Sequence, residues 1–312
     1  MSNLKENILL FLKGVGMGGA DIVPGVSGGT VAFITGIYEK LLYSINAVNL
    51  QALQLIKAKR FRDFWSHING NFLLVLFIGI FTSFLSLAKL IEFLLENHPI
   101  QLWSFFFGLI IISSALVARE IKKWRIGTVA MMLLGGIIAY FITVLTPAET
   151  PDDLWFIFIC GAIAVCAMIL PGISGSFIVL LLGKYQYMVN ALSSLNIVVL
   201  LTFIAGCVTG LLSFSKVISW LLKKYHDLAI ALLSGFMIGS LNKVWPWKKT
   251  IETFTDRHGV EKPLIQENIW ATQYQVEGND AFIFQAILFF ALGIGIVVLI
   301  EKIAHWRRSP HK

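Results

Sequence analysis

The sequence predicts an all-α polytopic membrane protein. It is expected to be an inverted-topology repeat, each half one re-entrant helical hairpin plus three transmembrane helices. Three observations predict this: an apolar composition, a short string that occurs twice, and charge that alternates from loop to loop. The 312 residues are 57% hydrophobic and only 14% charged, with a mean hydropathy of +0.77. A soluble chain of this length could not hide so much apolar surface. The net charge of +7 would suit nucleic acid or a membrane. Lys and Arg cluster between the apolar stretches, which decides for membrane lipids and against nucleic acid. The apolar run from Ile8 is broken by Lys13 and lacks a small-residue cleavage site, so no cleaved signal peptide is expected. Cys160, Cys166 and Cys207 fall in apolar segments and read as small core residues.

The repeated string is Pro24-Gly25-Val26-Ser27-Gly28-Gly29 and, 147 residues later, Pro171-Gly172-Ile173-Ser174-Gly175-Ser176. Gly36, Tyr38 and Asn49 match Gly183, Tyr185 and Asn196 at the same offset. Each copy interrupts an apolar stretch near its middle, the strongest sequence pointer to a transporter binding site. Residues 8–45 and 154–192 therefore read as hairpins. Their arms of about 16 residues reach ~24 Å as straight helices, short of the ~30 Å hydrocarbon core. Six further stretches are long enough to span: 71–95, 100–118, 127–146, 197–222, 228–244 and 281–300. A second register, 127 residues apart, matches Gly79, Lys89 and Gly108 to Gly206, Lys216 and Gly235. The shift between registers fits an insertion at 47–69. Repeat 1 is thus 1–146 and repeat 2 is 147–312. Three crossings per half is an odd number, so the halves must oppose each other.

Loop charge tests this independently. One set holds Lys57 to Arg62, Arg119 to Arg125, Lys223 and Lys224, and the basic C-terminus. The alternating set holds His98, the acidic stretch Glu149 to Asp153, and the mixed segment 245–281. The positive-inside rule puts the first set and both termini in the cytoplasm. Hairpin 1 then enters from the cytoplasm and hairpin 2 from outside, so their tips can meet. Segment 245–281, with Trp245, Trp247 and Trp270, is expected as an extracytoplasmic loop on the membrane surface.

Each tip suits an anion. Glycines admit a close backbone approach, and the following arm offers unpaired N–H groups and its dipole. Ser27, Gly28, Gly29, Thr30, Ser174, Gly175 and Ser176 are the candidate phosphate-binding residues. The plainer reading is a pair of tight turns with serine caps. A phosphomonoester carries about −1.5 to −2, while two helix ends supply only about +1. Further charge balance is needed. Asp21, Glu39, Lys89 and Lys216 are the coupling or charge-balancing candidates, with Lys13 and Lys184 also on the hairpins. Asp21 could carry a proton or cation, or simply cap the tip amides. Lys89 and Lys216 sit late in their spans, where snorkelling competes with function. Glu39 could merely pair with Lys40. No catalytic, cofactor or metal constellation is evident, and without a P-loop transport must draw on a gradient or run downhill.

The stretch Gly18-Gly19-Ala20-Asp21-Ile22-Val23-Pro24-Gly25-Val26-Ser27-Gly28-Gly29-Thr30, then Gly36-Ile37-Tyr38-Glu39, and later Met168 to Phe177, resembles the signature of the PopT family of bacterial polyprenyl-phosphate transporters. The resemblance covers nearly the whole chain. It implies return of undecaprenyl phosphate from the outer to the inner leaflet of the bacterial cytoplasmic membrane, recycling the lipid carrier of peptidoglycan and other envelope polymers. Two alternatives are a gradient-coupled transporter of another anion and an enzyme like undecaprenyl-pyrophosphate phosphatase. The phosphatases resemble this chain in their inverted hairpins, but their tip arginine is replaced here by Gly28 and Gly175.

Overall fold

The computed structural model describes residues 2–23, 26–145, 147, 150–255, 261–276 and 278–308. Pro24 and Gly25 of the first tip, Thr146, Glu149, and residues 256–260 of segment 245–281 lie outside the described residues. The first helix–turn–helix unit is α1 (Ser2–Ile22), α2 (Gly28–Ile34) and α3 (Tyr38–Asn46). Two short helices, α4 (Leu50–Lys57) and α5 (Phe61–His67), lead to the long α6 (Gly70–Asn97), α7 (Pro99–Ala118) and α8 (Ile126–Val144). The second unit is α9 (Leu154–Ile169), α10 (Gly175–Leu181) and α11 (Tyr185–Ser193), followed by α12 (Ile197–Lys224) and α13 (His226–Ser240). Strands β1 (Lys248–Thr255) and β2 (Glu261–Asn268), the short α14 (Ala271–Val276) and α15 (Ile283–Arg308) complete the described chain. Five of these helices are long and apolar enough to cross a membrane, so the protein is a multi-pass membrane protein.

The matched positions do matched work. Asn49 caps α4, its side chain accepting from the N–H groups of Gln51 and Ala52, and Asn196 caps α12 by accepting from Val199 N–H. The first cap opens the α4–α5 insertion and the second opens a long helix directly, which accounts for the register shift. Single residues, His98 and Tyr225, join α6 to α7 and α12 to α13. Pro99 helps the first of these turns, because its missing N–H would be unpaired there anyway. Helix α1 packs on α6 as α9 packs on α12, and α8 packs on α13 as α15 packs on α7. At Gly79 a Cβ would strike the carbonyl of Phe11, and at Gly206 that of Phe158. Small residues at such crossings let backbones approach where no hydrophobic effect drives helices together.

Helices α7 and α13 touch at the centre, with Ile110, Ile230, Leu233 and Met237 almost wholly buried. The outer helices expose large apolar side chains such as Leu85, Phe141 and Phe284. Asp227, at the start of α13, accepts hydrogen bonds from the Lys122 and Lys123 backbone at 3.3 and 3.1 Å. This ties the α7–α8 connection to the core.

Three expectations need correction. The return arms are not single helices of about 16 residues. Gly36 (φ 70°) and Gly183 (φ 64°) take left-handed conformations and break each arm into pieces of 7 and 9 residues. Ile37 N–H reaches back to Ala32 O, and Lys184 N–H to Val179 O, both at the six-to-one spacing of a Schellman stop. The segment predicted to span at 228–244 forms a helix of only 15 residues, about 22 Å long. It can be short because it is enclosed by protein, with the second tip seated on its end. Finally, segment 245–281 is not a plain loop: within an otherwise helical chain it contains the antiparallel β1–β2 pair.

Candidate functional site

The two copies of the repeated string meet. The Ser27 hydroxyl shares its proton between the carbonyls of Met168 (3.1 Å) and Leu170 (3.2 Å), and its oxygen accepts from Gly29 N–H (3.1 Å), capping α2. Gly172 N–H donates to Thr30 Oγ1 at 3.0 Å, and Tyr38 OH donates to Ile169 O at 3.1 Å. A Cβ on Gly29 would lie 2.8 Å from Ile169 O. Ser27 and Thr30 have no exposed surface at all. Every one of these bonds satisfies a polar group that burial would otherwise penalise, so the first tip is clamped onto the turn of the second.

Asp21 lies in this cluster. Its Oδ1 accepts from Gly28 N–H at 2.7 Å, and a Cβ on Gly28 would collide with the carboxylate. The capping geometry foreseen as one of its two readings is therefore present: the protein's own carboxylate occupies the first free amide of α2. The second tip differs. Gly172 turns with φ 94°, and a Cβ there would meet Ser240 Oγ at 2.8 Å. Ser174 and Ser176 bond each other at 2.9 Å, Ser174 makes no side-chain cap on α10, and Gly175 lies against Ala164 O.

The other candidates fall elsewhere. Glu39 is exposed in the first turn of α3, and Lys40 stacks over Phe72 rather than forming an ion pair with it among the described residues. Lys89 and Lys216 are both exposed on the outside of the bundle, a placement that fits snorkelling. Lys13 donates to Thr35 O (2.7 Å) at the end of α2, and buried Lys184 pairs with Asp152 (2.5 Å) and Thr150 O (2.6 Å). Both therefore brace the jointed arms.

Sequence reasoning passed over two groups. Tyr38 served only as a repeat marker, although it bonds the opposite tip. Lys243 lay inside a segment predicted to span, where an ionisable residue is a functional candidate by default. It now stands with Lys248 in a cavity of about 580 Å³ between α8, α10 and β2.

A clamped pair of glycine-serine turns inside an apolar helical bundle is in keeping with a membrane transporter. The chain belongs to the undecaprenyl phosphate translocase-like (VCA0040-like) family, whose sequence profile matches residues 17–262. It is 46% identical over 295 residues to the polyprenyl-phosphate transporter of Vibrio cholerae serotype O1, covering 94% of this chain and 96% of that protein. It is 33% identical over 254 residues to the polyprenyl-phosphate transporter of Staphylococcus aureus, covering 75% and 85% respectively. No solved structure matches.

Proposed function

We propose that this protein moves undecaprenyl phosphate, or a related polyprenyl phosphate, from the outer to the inner leaflet of the bacterial cytoplasmic membrane without altering it, returning the carrier for envelope synthesis. Repeat 1 (1–146) and repeat 2 (147–312) are inverted copies, each with one re-entrant hairpin, and both termini lie in the cytoplasm. The observation that carries this reading is the meeting of the two strings, through the bonds of Ser27 to Met168 and Leu170 and of Gly172 to Thr30. The matched helix pairings and the family membership support it.

The tips hold the headgroup when they part. Helices α2 and α10 have only 7 residues each, so their free N–H groups matter more than their dipoles. Asp21 already sits on Gly28 N–H, where a phosphate oxygen would bind. Two anions cannot share that amide. Protonation of Asp21 would release it, and deprotonation after delivery would expel the lipid. A proton or cation at Asp21 would thus couple the cycle. Prenyl chain in the gaps between helices adds little selectivity, because lipid tails compete for the same apolar surface. The headgroup bonds discriminate, since a wrong ligand leaves them unpaired.

The test is leaflet-resolved movement of undecaprenyl phosphate in vesicles holding the purified protein. Movement that is absent, or accompanied by phosphate release from undecaprenyl pyrophosphate and lost in Ser27→Ala, would overturn the translocase reading.

A further inference from the structure

We propose that the cavity between α8, α10 and the β1–β2 pair is a reception site for a phosphomonoester headgroup, held by Lys243 and Lys248, from which the lipid passes to the tips. This rests on the translocase reading and adds a second, earlier binding site to it.

The cavity measures about 580 Å³, within the range of small-molecule sites. Its polar wall is built in advance. Asn268 donates to the carbonyl and side-chain oxygens of Asn242 at 2.7 and 2.9 Å, and Asn242 donates to Thr143 Oγ1 at 2.8 Å. This chain of bonds ties β2 to the end of α8. Lys248 donates to Lys243 O at 2.6 Å and lies 3.7 Å from the centre of the Trp103 ring, while Lys243 lies 4.3 Å from that of Phe177. Both lysines are half-buried, and neither has a carboxylate partner among the described residues.

Two ammonium groups in one partly desolvated wall oppose each other. Burial pushes Lys243 down to about 8, and burial together with the Lys243 charge holds Lys248 well below the usual lysine range. A dianion between them would relieve both costs, and phosphate offers three acceptor oxygens. The other titratable groups lining the cavity are exposed Glu267 on β2 and Tyr140 on α8.

The same lining has an apolar share, with Val144 and Leu145 from the end of α8 and Leu180 and Leu181 from α10. An amphiphile fits that division, headgroup on the lysines and first isoprene on the aliphatic wall. Inorganic phosphate would use only half of it. Phe177, beneath the Lys243 ammonium, stands two residues after Gly175. The cavity therefore lies along the return arm of the second tip, on the face that loop charge puts outside the cytoplasm.

The test uses the full chain in nanodiscs, with farnesyl monophosphate, farnesol and inorganic phosphate as probes. Lys243→Gln and Lys248→Gln are each expected to weaken farnesyl monophosphate binding about tenfold at neutral pH, the scale of one lost charge-assisted hydrogen bond. The Lys→Arg variants should retain it, and farnesol should bind poorly to all. Wild-type affinity in both Gln variants, with transport intact, overturns the reception site and leaves the translocase standing. A wild-type protein that neither binds nor moves the phosphorylated lipid overturns the translocase itself. Inorganic phosphate bound as tightly as farnesyl monophosphate makes the cavity a free-phosphate site and overturns the lipid assignment. Should the Gln variants unfold, farnesyl monophosphate must shield Lys243 and Lys248 of the wild type from amine-directed labelling. Unchanged labelling overturns the proposal.

Discussion

The two tips share a sequence string but not a state. At the first, Ser27 caps α2 and the Asp21 carboxylate occupies Gly28 N–H. At the second, the position matching Asp21 is the apolar Met168, Ser174 and Ser176 bond only each other among side chains, and α10 starts without a side-chain cap. The repeated string makes the two tips alike in sequence. A transport cycle needs them unlike, so that one end receives while the other is held shut. Here the differences are the Asp21 carboxylate and the Ser27 cap, both on the tip that reaches the other's turn.

The largest expected effect comes from filling the tips. Gly28→Leu drives the side chain into Asp21, and Gly175→Leu drives it toward Ala164 O at 2.8 Å. Each is expected to reduce lipid movement in vesicles to background while the protein remains folded in the membrane. Normal transport by both would reduce the tips to simple turns. Asp21→Asn comes next. It should lower the rate and remove the pH or ion dependence of transport, and no variant of the second tip should do so. An unchanged pH and ion profile would leave Asp21 as a cap alone.

A smaller effect separates the tips by stability. Ser27→Ala loses the α2 cap and the bond to the opposite turn, about 1–2 kcal/mol by analogy with other caps. Ser174→Ala loses only its bond to Ser176 and should melt closer to the wild type in detergent. Equal melting shifts would erase the asymmetry. The gentlest perturbation is pH at the Lys243–Lys248 cavity. Lys243 is charged below about 8, and a phosphomonoester becomes dianionic above about 6. Farnesyl monophosphate should therefore bind best between those values and weaken as pH rises past 8. Binding that strengthens steadily into alkaline solution would contradict the role of the lysines. For sidedness, a cysteine placed at Asp152 should label only from outside the cytoplasm.

Much of the fold was legible because its signals were local and doubled. Gly36 and Gly183, and Asn49 and Asn196, were matched as letters, and the structure gives each pair one shared task. The broken arms were harder to read, since a lone glycine in an apolar run is compatible with a continuous helix. Only its left-handed conformation, joined to the back-bond from the next residue, stops it. The β1–β2 pair was hidden by charge: Lys248, Lys249, Glu252 and Glu261 suggested a solvated loop, although Thr250 to Thr255 is rich in β-branched residues. Contact between the tips was expected from the repeated string, but whether Asp21 bonds Gly28 or faces outward is a matter of rotamer, which a sequence does not fix. Lys243 was obscured because α13 was drawn past Ser240. Once the helix ends there, the lysine belongs to a mouth rather than to a span.

The bond between Ser27 and the turn at Met168–Leu170 has an electrical consequence. Moving one elementary charge across a membrane potential of 100 mV is worth about 2.3 kcal/mol, so an open water thread through a membrane protein would dissipate any such potential. Around the joined tips Val23, Val26, Thr30 and Pro171 are fully buried, so the described side of this contact offers no surface to water. With its tips joined, the protein is expected to carry no ion current across a bilayer, which conductance measurements would check.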